Sequence, residues 1–205
     1  MTDHNIVGVI LAGGLARRMG GGDKCLQSLG TQTLLELSIQ RLRPQVGPLL
    51  LNVNGDAARF QDYDLPKAAD TVPGFAGPLA GILTGMRWAQ EQAPQSEWLL
   101  SVAADTPFFP QDLAVRLVQQ AQSDQALIAV AESGDHIHPV FGLWHVSLAD
   151  HLHKALVEQD TRKIFRWMKQ HPWTQVTFAT QPIDPFFNIN SPDDLQRAHQ
   201  LATLN

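Results

Sequence analysis

The run Val7-Gly8-Val9-Ile10-Leu11 leads directly into Ala12-Gly13-Gly14-Leu15-Ala16-Arg17-Arg18-Met19-Gly20-Gly21-Gly22-Asp23-Lys24. An apolar, β-branched segment that stops at paired glycines predicts a buried strand feeding a loop whose backbone can approach another molecule closely. Arg17, Arg18 and Lys24 place cations where an anion would sit. Neither G-x-x-x-x-G-K-[ST] nor G-x-G-x-x-G can be laid on these residues, so the loop is a third way of meeting a phosphate. Paired glycines after a strand also make plain tight turns. The adjacent Arg17-Arg18 and the Gly20-Gly21-Gly22-Asp23-Lys24 tail favour the ligand-binding reading.

Farther along, apolar strand-like runs alternate with amphipathic helical patterns, which predicts an α/β domain with a mainly parallel sheet. Leu34, Leu35, Leu37, Ile39 and Leu42 fall at mostly helical spacing between Thr33 and Arg43, and Pro44 ends that helix. Strands are expected at Leu49–Asn54, Trp98–Ala104, Ala126–Ala131, Val140–Trp144 and Thr174–Ala179, with a short extended run at Pro66–Asp70. Pro78 suits the first turn of a helix reaching about Gln90. Further helical patterns cover Asp112–Gln122, Leu148–Glu158 and Arg162–Gln170, and Ser191-Pro192-Asp193-Asp194 caps a last helix with a hydroxyl and early carboxylates. No internal repeat, low-complexity tract or linker interrupts this order.

With 205 residues, 44% of them hydrophobic, the chain can bury one proper core. A formal net charge of -5 argues against a general nucleic-acid or anionic-membrane surface, so the early arginines read as a local device for a small partner. The N-terminus has no basic region before its short apolar run, and no apolar stretch approaches the roughly 18 residues of a spanning helix. A cytoplasmic location is expected. The single cysteine, Cys25, excludes an intrachain disulfide and a multi-cysteine metal site; beside the loop it reads as a small filler, with a redox-sensitive thiol as the alternative.

Parallel sheets bind ligands at the carboxyl ends of their strands. The polar residues that stand out here fall at those ends. The glycine loop follows the first strand, Asn52 and Asn54 close the second, Asp70 ends the short third, and Asp105 ends the fourth. Asp105 before Thr106-Pro107 can also be read as a turn cap, Asn52 and Asn54 as turn residues, and Asp70 as a solvated loop carboxylate.

Leu11-Ala12-Gly13-Gly14, Arg17-Arg18-Met19-Gly20 and Asp23-Lys24 together resemble the signature of nucleotidyltransferases that transfer a nucleoside monophosphate. The paired glycine after Ala12 is most similar to the molybdenum cofactor guanylyltransferases. The resemblance continues through Asn52-Val53-Asn54, Asp70, Gly77-Pro78-Leu79-Ala80-Gly81, Ala104-Asp105-Thr106-Pro107, His138-Pro139 and Phe187-Asn188-Ile189-Asn190-Ser191-Pro192-Asp193-Asp194-Leu195. The first signature alone points only to a wider superfamily that includes cytidylyltransferases and sugar-phosphate nucleotidyltransferases. The guanylyl assignment rests on the whole set.

The resemblance implies a single-domain, Rossmann-like three-layer sandwich with a mainly parallel sheet and at least one antiparallel strand. Its nucleotide-binding part would span about residues 1–110 and its acceptor-binding part about 111–205. The implied reaction is attack by the terminal phosphate of the molybdopterin cofactor on the α-phosphorus of GTP, releasing pyrophosphate. In that scheme the backbone N–H groups of Ala12, Gly13 and Gly14, after Leu11, hold the triphosphate with Arg18 and Lys24. Asp105 holds Mg²⁺, with Asn190 as a second contact. Asn52 and Asp70 meet the guanine nucleoside, with base and sugar both open as the target of Asp70, and Asn188 joins the nucleotide contacts. Gly77 and Gly81 allow close approach of a helix start to substrate.

Arg162 and Lys163 would serve as cations for the pterin phosphate, or simply as a charged helix face. His136 and His138 are read as loop residues, with His138 near substrate; two histidines with no third ligand do not make a metal site. Gly22 lengthens the glycine run relative to the family pattern, which implies a loop that orders on ligand binding. Transient contacts with molybdenum insertion proteins and apo-molybdoenzymes are implied as well. Two alternatives stay open on these residues: another nucleotidyltransferase on the same scaffold, and a non-catalytic GTP-binding module.

Overall fold

The computed structural model describes residues 5–13, 23–72, 74 and 77–202; Gly14, Arg17, Arg18 and the Gly20–Gly22 run lie outside the described residues. In chain order the elements are β1 (Ile6–Leu11), the short strands β2 (Ser28–Leu29) and β3 (Gln32–Thr33), α1 (Leu34–Leu42), β4 (Leu49–Asn52), β5 (Lys67–Ala68), α2 (Pro78–Gln92), β6 (Trp98–Ala103), α3 (Leu113–Ser123), β7 (Ile128–Ser133), β8 (His136–His145), α4 (Ala149–Gln159), α5 (Ile164–Met168), β9 (Trp173–Phe178) and α6 (Pro192–Ala202).

One sheet runs in the order β5-β4-β1-β6-β8-β7-β9, and β2 pairs with β3 outside it. Strands β5, β4, β1 and β6 are mutually parallel; β8 is antiparallel to both β6 and β7, and β9 is parallel to β7. The expected mainly parallel sheet with an antiparallel strand is therefore present. Because side chains alternate along a strand, the apolar run of β1 feeds two cores. Ile6 and Ile10 join Leu51, Leu100 and Val102 under α1 and α3 through Leu35, Leu42, Leu113 and Leu117. Val7 and Val9 join Leu50 and Leu99 under α2 and α4 through Leu79, Leu83, Met86 and Leu152. This gives three layers: helices, sheet, helices.

Local chemistry sets the ends of these elements. Thr33 caps α1 in a reciprocal box: the Glu36 N–H donates to Thr33 Oγ1 at 3.1 Å and the Thr33 N–H to Glu36 Oε2 at 2.6 Å. Ser191 does similar work for α6, accepting from the Asp194 N–H at 3.1 Å while its hydroxyl donates to Asp194 Oδ2 at 2.8 Å. The carboxyl ends of β1, β4, β5 and β6 come out on one edge, as parallel pairing requires.

Three details depart from the sequence expectations. First, β8 begins at His136, so His136 and His138 are strand residues instead of loop residues. Gly134 (φ 50) and Asp135 (φ 63) form a tight turn with positive φ at both central positions, which joins β7 and β8 and pairs Ser133 with His136 and Ala131 with His138. Second, α5 covers only Ile164–Met168, because Asp160 ends α4 in a left-handed conformation (φ 46) and Lys163 is extended. Arg162 and Lys163 thus precede the helix, and Arg162 Nε lies 3.0 Å from Asp160 Oδ1. Third, the β2–β3 hairpin, with Gly30 at φ 67, falls on residues whose apolar pattern is too short to announce it.

Candidate active site

A cleft of about 670 Å³ opens along the carboxyl edge of the parallel strands. Its floor is the end of β1: Leu11, Ala12 and Gly13 all line it. The Ala12 N–H is committed to the sheet, donating to Asn52 O at 3.0 Å, so Ala12 cannot offer it to a phosphate as its position in the motif suggested. Gly13 is the first described residue of the loop past that last ladder bond.

On one side, β4 and β5 place three polar side chains in a closed network. Asn52, buried to 3% exposure, donates from Nδ2 to Asp70 Oδ1 at 3.0 Å and to Ala68 O at 3.1 Å. Asn54 donates from Nδ2 to Asp70 Oδ2 at 2.9 Å and accepts from the Asp70 N–H at 2.9 Å. Each carboxylate oxygen of Asp70 therefore already holds one amide and keeps one lone pair for a ligand. Asn54, which the sequence also allows as a turn residue, fixes that carboxylate together with Asn52.

Gly81 has a different role from the one its motif implied. It is buried in α2, and a Cβ there would lie 2.4 Å from Asn52 Oδ1 and 2.7 Å from Leu11 Cδ2. The missing side chain makes room for the protein's own asparagine, with no space left beside it for a ligand. Gly77, at the start of α2, is exposed and does line the cleft, with no atom of the described residues within 4 Å of its would-be Cβ.

Across the cleft stands Asp105, just past β6. Lys24 Nζ lies 2.5 Å from Asp105 Oδ2, donates to Asn188 Oδ1 at 3.3 Å and also donates to Asn190 Oδ1. Asn188 and Asn190 flank Ile189, which is fully buried, and the Ile189 N–H donates to Asp105 O at 3.0 Å. That single backbone bond registers both asparagines on Asp105. The Asn190 N–H donates in turn to Asp194 Oδ2 at 3.0 Å, tying the pair to the start of α6. Hydrogen bonding from Ser191 is the leading cause that holds the Asp194 carboxyl below the usual carboxylate value, so it stays an acceptor for this cap.

His138 supports this segment from behind. Its Nε2 is 2.8 Å from Ser133 Oγ, Ser133 donates to Asp184 Oδ1 at 2.9 Å, and the imidazole stacks on Phe186 with centroids 4.6 Å apart. The residues lining the cleft do not include His138, Arg162 or Lys163. Cys25 is buried next to the site. Burial, and then the neighbouring Asp23 carboxylate, push its thiol up to about 12, so it is an unreactive filler at neutral pH.

Arg59 is the residue that sequence reasoning missed. It lines the cleft, and both oxygens of Asp23 lie within 2.6 and 2.7 Å of its Nη1. The available signal was faint: Arg59 is the sole lysine or arginine between Arg43 and Lys67, on the loop that follows Asn54.

A family model described as the MobA-like NTP transferase domain matches residues 8–173. A molybdenum cofactor guanylyltransferase from Nitrobacter hamburgensis is 51% identical over 198 residues, covering 97% of this chain and 95% of the relative. The chain belongs to this family. It is thus a nucleotidyltransferase of molybdenum cofactor biosynthesis, and a second guanylyltransferase, from Rhodopseudomonas palustris, is 52% identical over 194 residues with 95% of this chain and 91% of that one covered. The crystal structure of molybdopterin-guanine dinucleotide biosynthesis protein A from Archaeoglobus fulgidus superposes with a TM-score of 0.75 at 22% identity, over 97% of this chain and 100% of that one, and shares the fold. Among the described residues no helix is long and apolar enough to cross a membrane, and no group of three or more His, Cys, Asp or Glu converges as a ready metal cage.

Proposed function

We propose that the chain transfers GMP from GTP to the terminal phosphate of the molybdopterin cofactor, giving molybdopterin guanine dinucleotide and pyrophosphate. The observation that carries this reading is the meeting of Lys24, Asp105, Asn188 and Asn190 at the mouth of the β1 loop, opposite the Asn52–Asn54–Asp70 network. One wall suits a nucleoside and the other a polyphosphate. The two free lone pairs of Asp70 match the paired N–H donors of guanine or the hydroxyls of its ribose.

Nucleotidyl transfer is chiefly positioning and charge neutralisation. An oxygen of the acceptor's phosphate forms a bond to the α-phosphorus, the bond from that phosphorus to the bridging oxygen breaks, and pyrophosphate leaves with the electron pair. The attacking phosphate is already anionic near neutral pH, so no side chain is needed to take its proton. Lys24, with its side chain only 12% exposed, holds its charge where solvent screens it weakly. Arg18, outside the described residues, and the backbone of Gly13 and Gly14 complete the phosphate grip in this reading.

The donor set fits a divalent hard cation: one carboxylate and two amide oxygens that already gather around an ammonium. Asp105 and Asn190, with Asn188 beside them, would hold Mg²⁺, which would neutralise charge on the phosphates when bound. With a single carboxylate, such an ion would complete its shell from substrate phosphates and water.

Residues from about 1–110 supply most of the nucleotide site in this reading, with Asn188 and Asn190 added to its phosphate wall, and the acceptor side falls within about residues 111–205. The reading includes action in the cytoplasm and transient contact with molybdenum insertion proteins and apo-molybdoenzymes. The purified protein incubated with molybdopterin cofactor and each nucleoside triphosphate in turn tests it. GTP alone should release pyrophosphate and yield the dinucleotide; preference for CTP, or binding of GTP with no product, would overturn it.

A further inference from the structure

Asp23 is a buried carboxylate, its side chain 6% exposed, and it immediately precedes Lys24. A charge so placed needs a partner, and Arg59 Nη1 meets both of its oxygens. The remaining guanidinium nitrogens are also engaged: Nη2 donates to Asn54 O at 2.9 Å and Nε to Asp56 O at 3.0 Å. Arg59 is therefore locked to the loop that carries Asn54, whose side chain orients Asp70. Two adjacent residues thus tie the two walls of the cleft together. Asp23 is fastened to the Asn54–Asp70 wall, and Lys24 to Asp105, Asn188 and Asn190.

We propose that Arg59 is a positioning residue for the transfer, acting by neutralising Asp23 so that Lys24 stays on the Asp105 side. The proposal rests on the reading of the cleft as the GTP site. Without Arg59 the bare Asp23 carboxylate, one residue away, competes for the Lys24 ammonium and is left buried without compensation. The sequence separation of 36 residues makes this a tertiary device, built only when the loop docks.

The test is a double-mutant cycle read in kcat and in KM for GTP, with the thermal midpoint measured alongside. Arg59→Ala is expected to lower kcat/KM for GTP by roughly 30-fold, and Arg59→Lys, which restores the charge but not the three-way grip, by about fivefold. Asp23→Asn in the Arg59→Ala background removes the stranded charge and should bring kcat/KM back to within about fivefold of wild type. The rescued protein should fold normally even where Arg59→Ala alone does not.

A double variant no better than Arg59→Ala would mean that Arg59 meets the substrate directly, and would overturn the proposal. So would Arg59→Ala losing thermal midpoint while its folded fraction keeps wild-type kcat and KM. A wild-type enzyme with no GTP-dependent turnover would overturn the GTP reading itself, a result that is distinct from a failed rescue in an active enzyme.

Discussion

The two halves of the sheet build their side of the cleft in opposite ways. In the parallel half, Asn52, Asn54 and Asp70 are close in sequence, sit at adjacent strand ends and hold one another in place, with a lone pair left on each Asp70 oxygen. In the antiparallel half the contributing residues arrive from far away: Asn188 and Asn190 reach Lys24 across 164 and 166 positions, hung on the buried Ile189 and braced by the Ser133–Asp184 bond and the His138–Phe186 stack. The proposed nucleoside site, made from neighbouring strand ends, is pre-organised by the sheet. The proposed transfer site, made with a returning segment, depends on long-range docking, and its geometry is the more fragile of the two.

The largest expected effect breaks the transfer wall. Asp105→Ala should reduce turnover by about 10³-fold or more, while leaving the thermal midpoint close to wild type, because the half-buried Asp105 belongs to no apolar core. Steady-state kinetics beside a melting curve checks this; retained turnover would remove Asp105 from the chemistry. Lys24→Met should follow, with a loss of roughly 10²-fold that falls mainly on kcat.

The nucleoside wall should respond differently. Gly81→Ala puts a Cβ at 2.4 Å from Asn52 Oδ1, and the asparagine must move off Asp70 to relieve it. The expected outcome is a KM for GTP raised about tenfold with kcat less affected, and a stability loss of about 1–3 kcal/mol from overpacking. An unchanged KM would mean that Asn52 does not order the nucleotide pocket.

The smallest effect concerns pH. Burial holds both His138 and His171 below the ordinary imidazole value. With folded values depressed, the unfolded chain binds more protons as pH drops below the ordinary histidine range, so stability should decline from about pH 7 to about pH 5.5. Both histidines lie in the antiparallel half. Amide exchange at the lower pH should therefore quicken in β7–β9 before it does in β1 and β4, and uniform quickening would contradict the difference between the halves.

The same contrast explains what the sequence disclosed. β1 and the helix after Thr33 follow from period and punctuation, both local signals, and lie close to where they are expected, while β4 and β5 stop at Asn52 and Ala68, short of Asn54 and Asp70. The pairing of Arg59 with Asp23 leaves no local trace, because its value comes only from burial. Gly81 illustrates the limit of motif reading: its spacing marks it for the site, yet only the close approach of Asn52 shows which neighbour needs the room. His136 and His138 read as loop residues from the sequence, whereas the Gly134–Asp135 turn carries the hairpin through them. The Ala12 N–H shows the reverse error, a motif residue whose donor the sheet had already claimed.

A crystal structure of the protein with GTP and Mg²⁺ bound measures the central claim most directly. The account predicts the triphosphate at the end of β1, within contact of Lys24 and on the Asp105 side, with the nucleoside against Asp70. A nucleotide seated elsewhere, or one whose α-phosphate lies far from both Lys24 and Asp105, would contradict it.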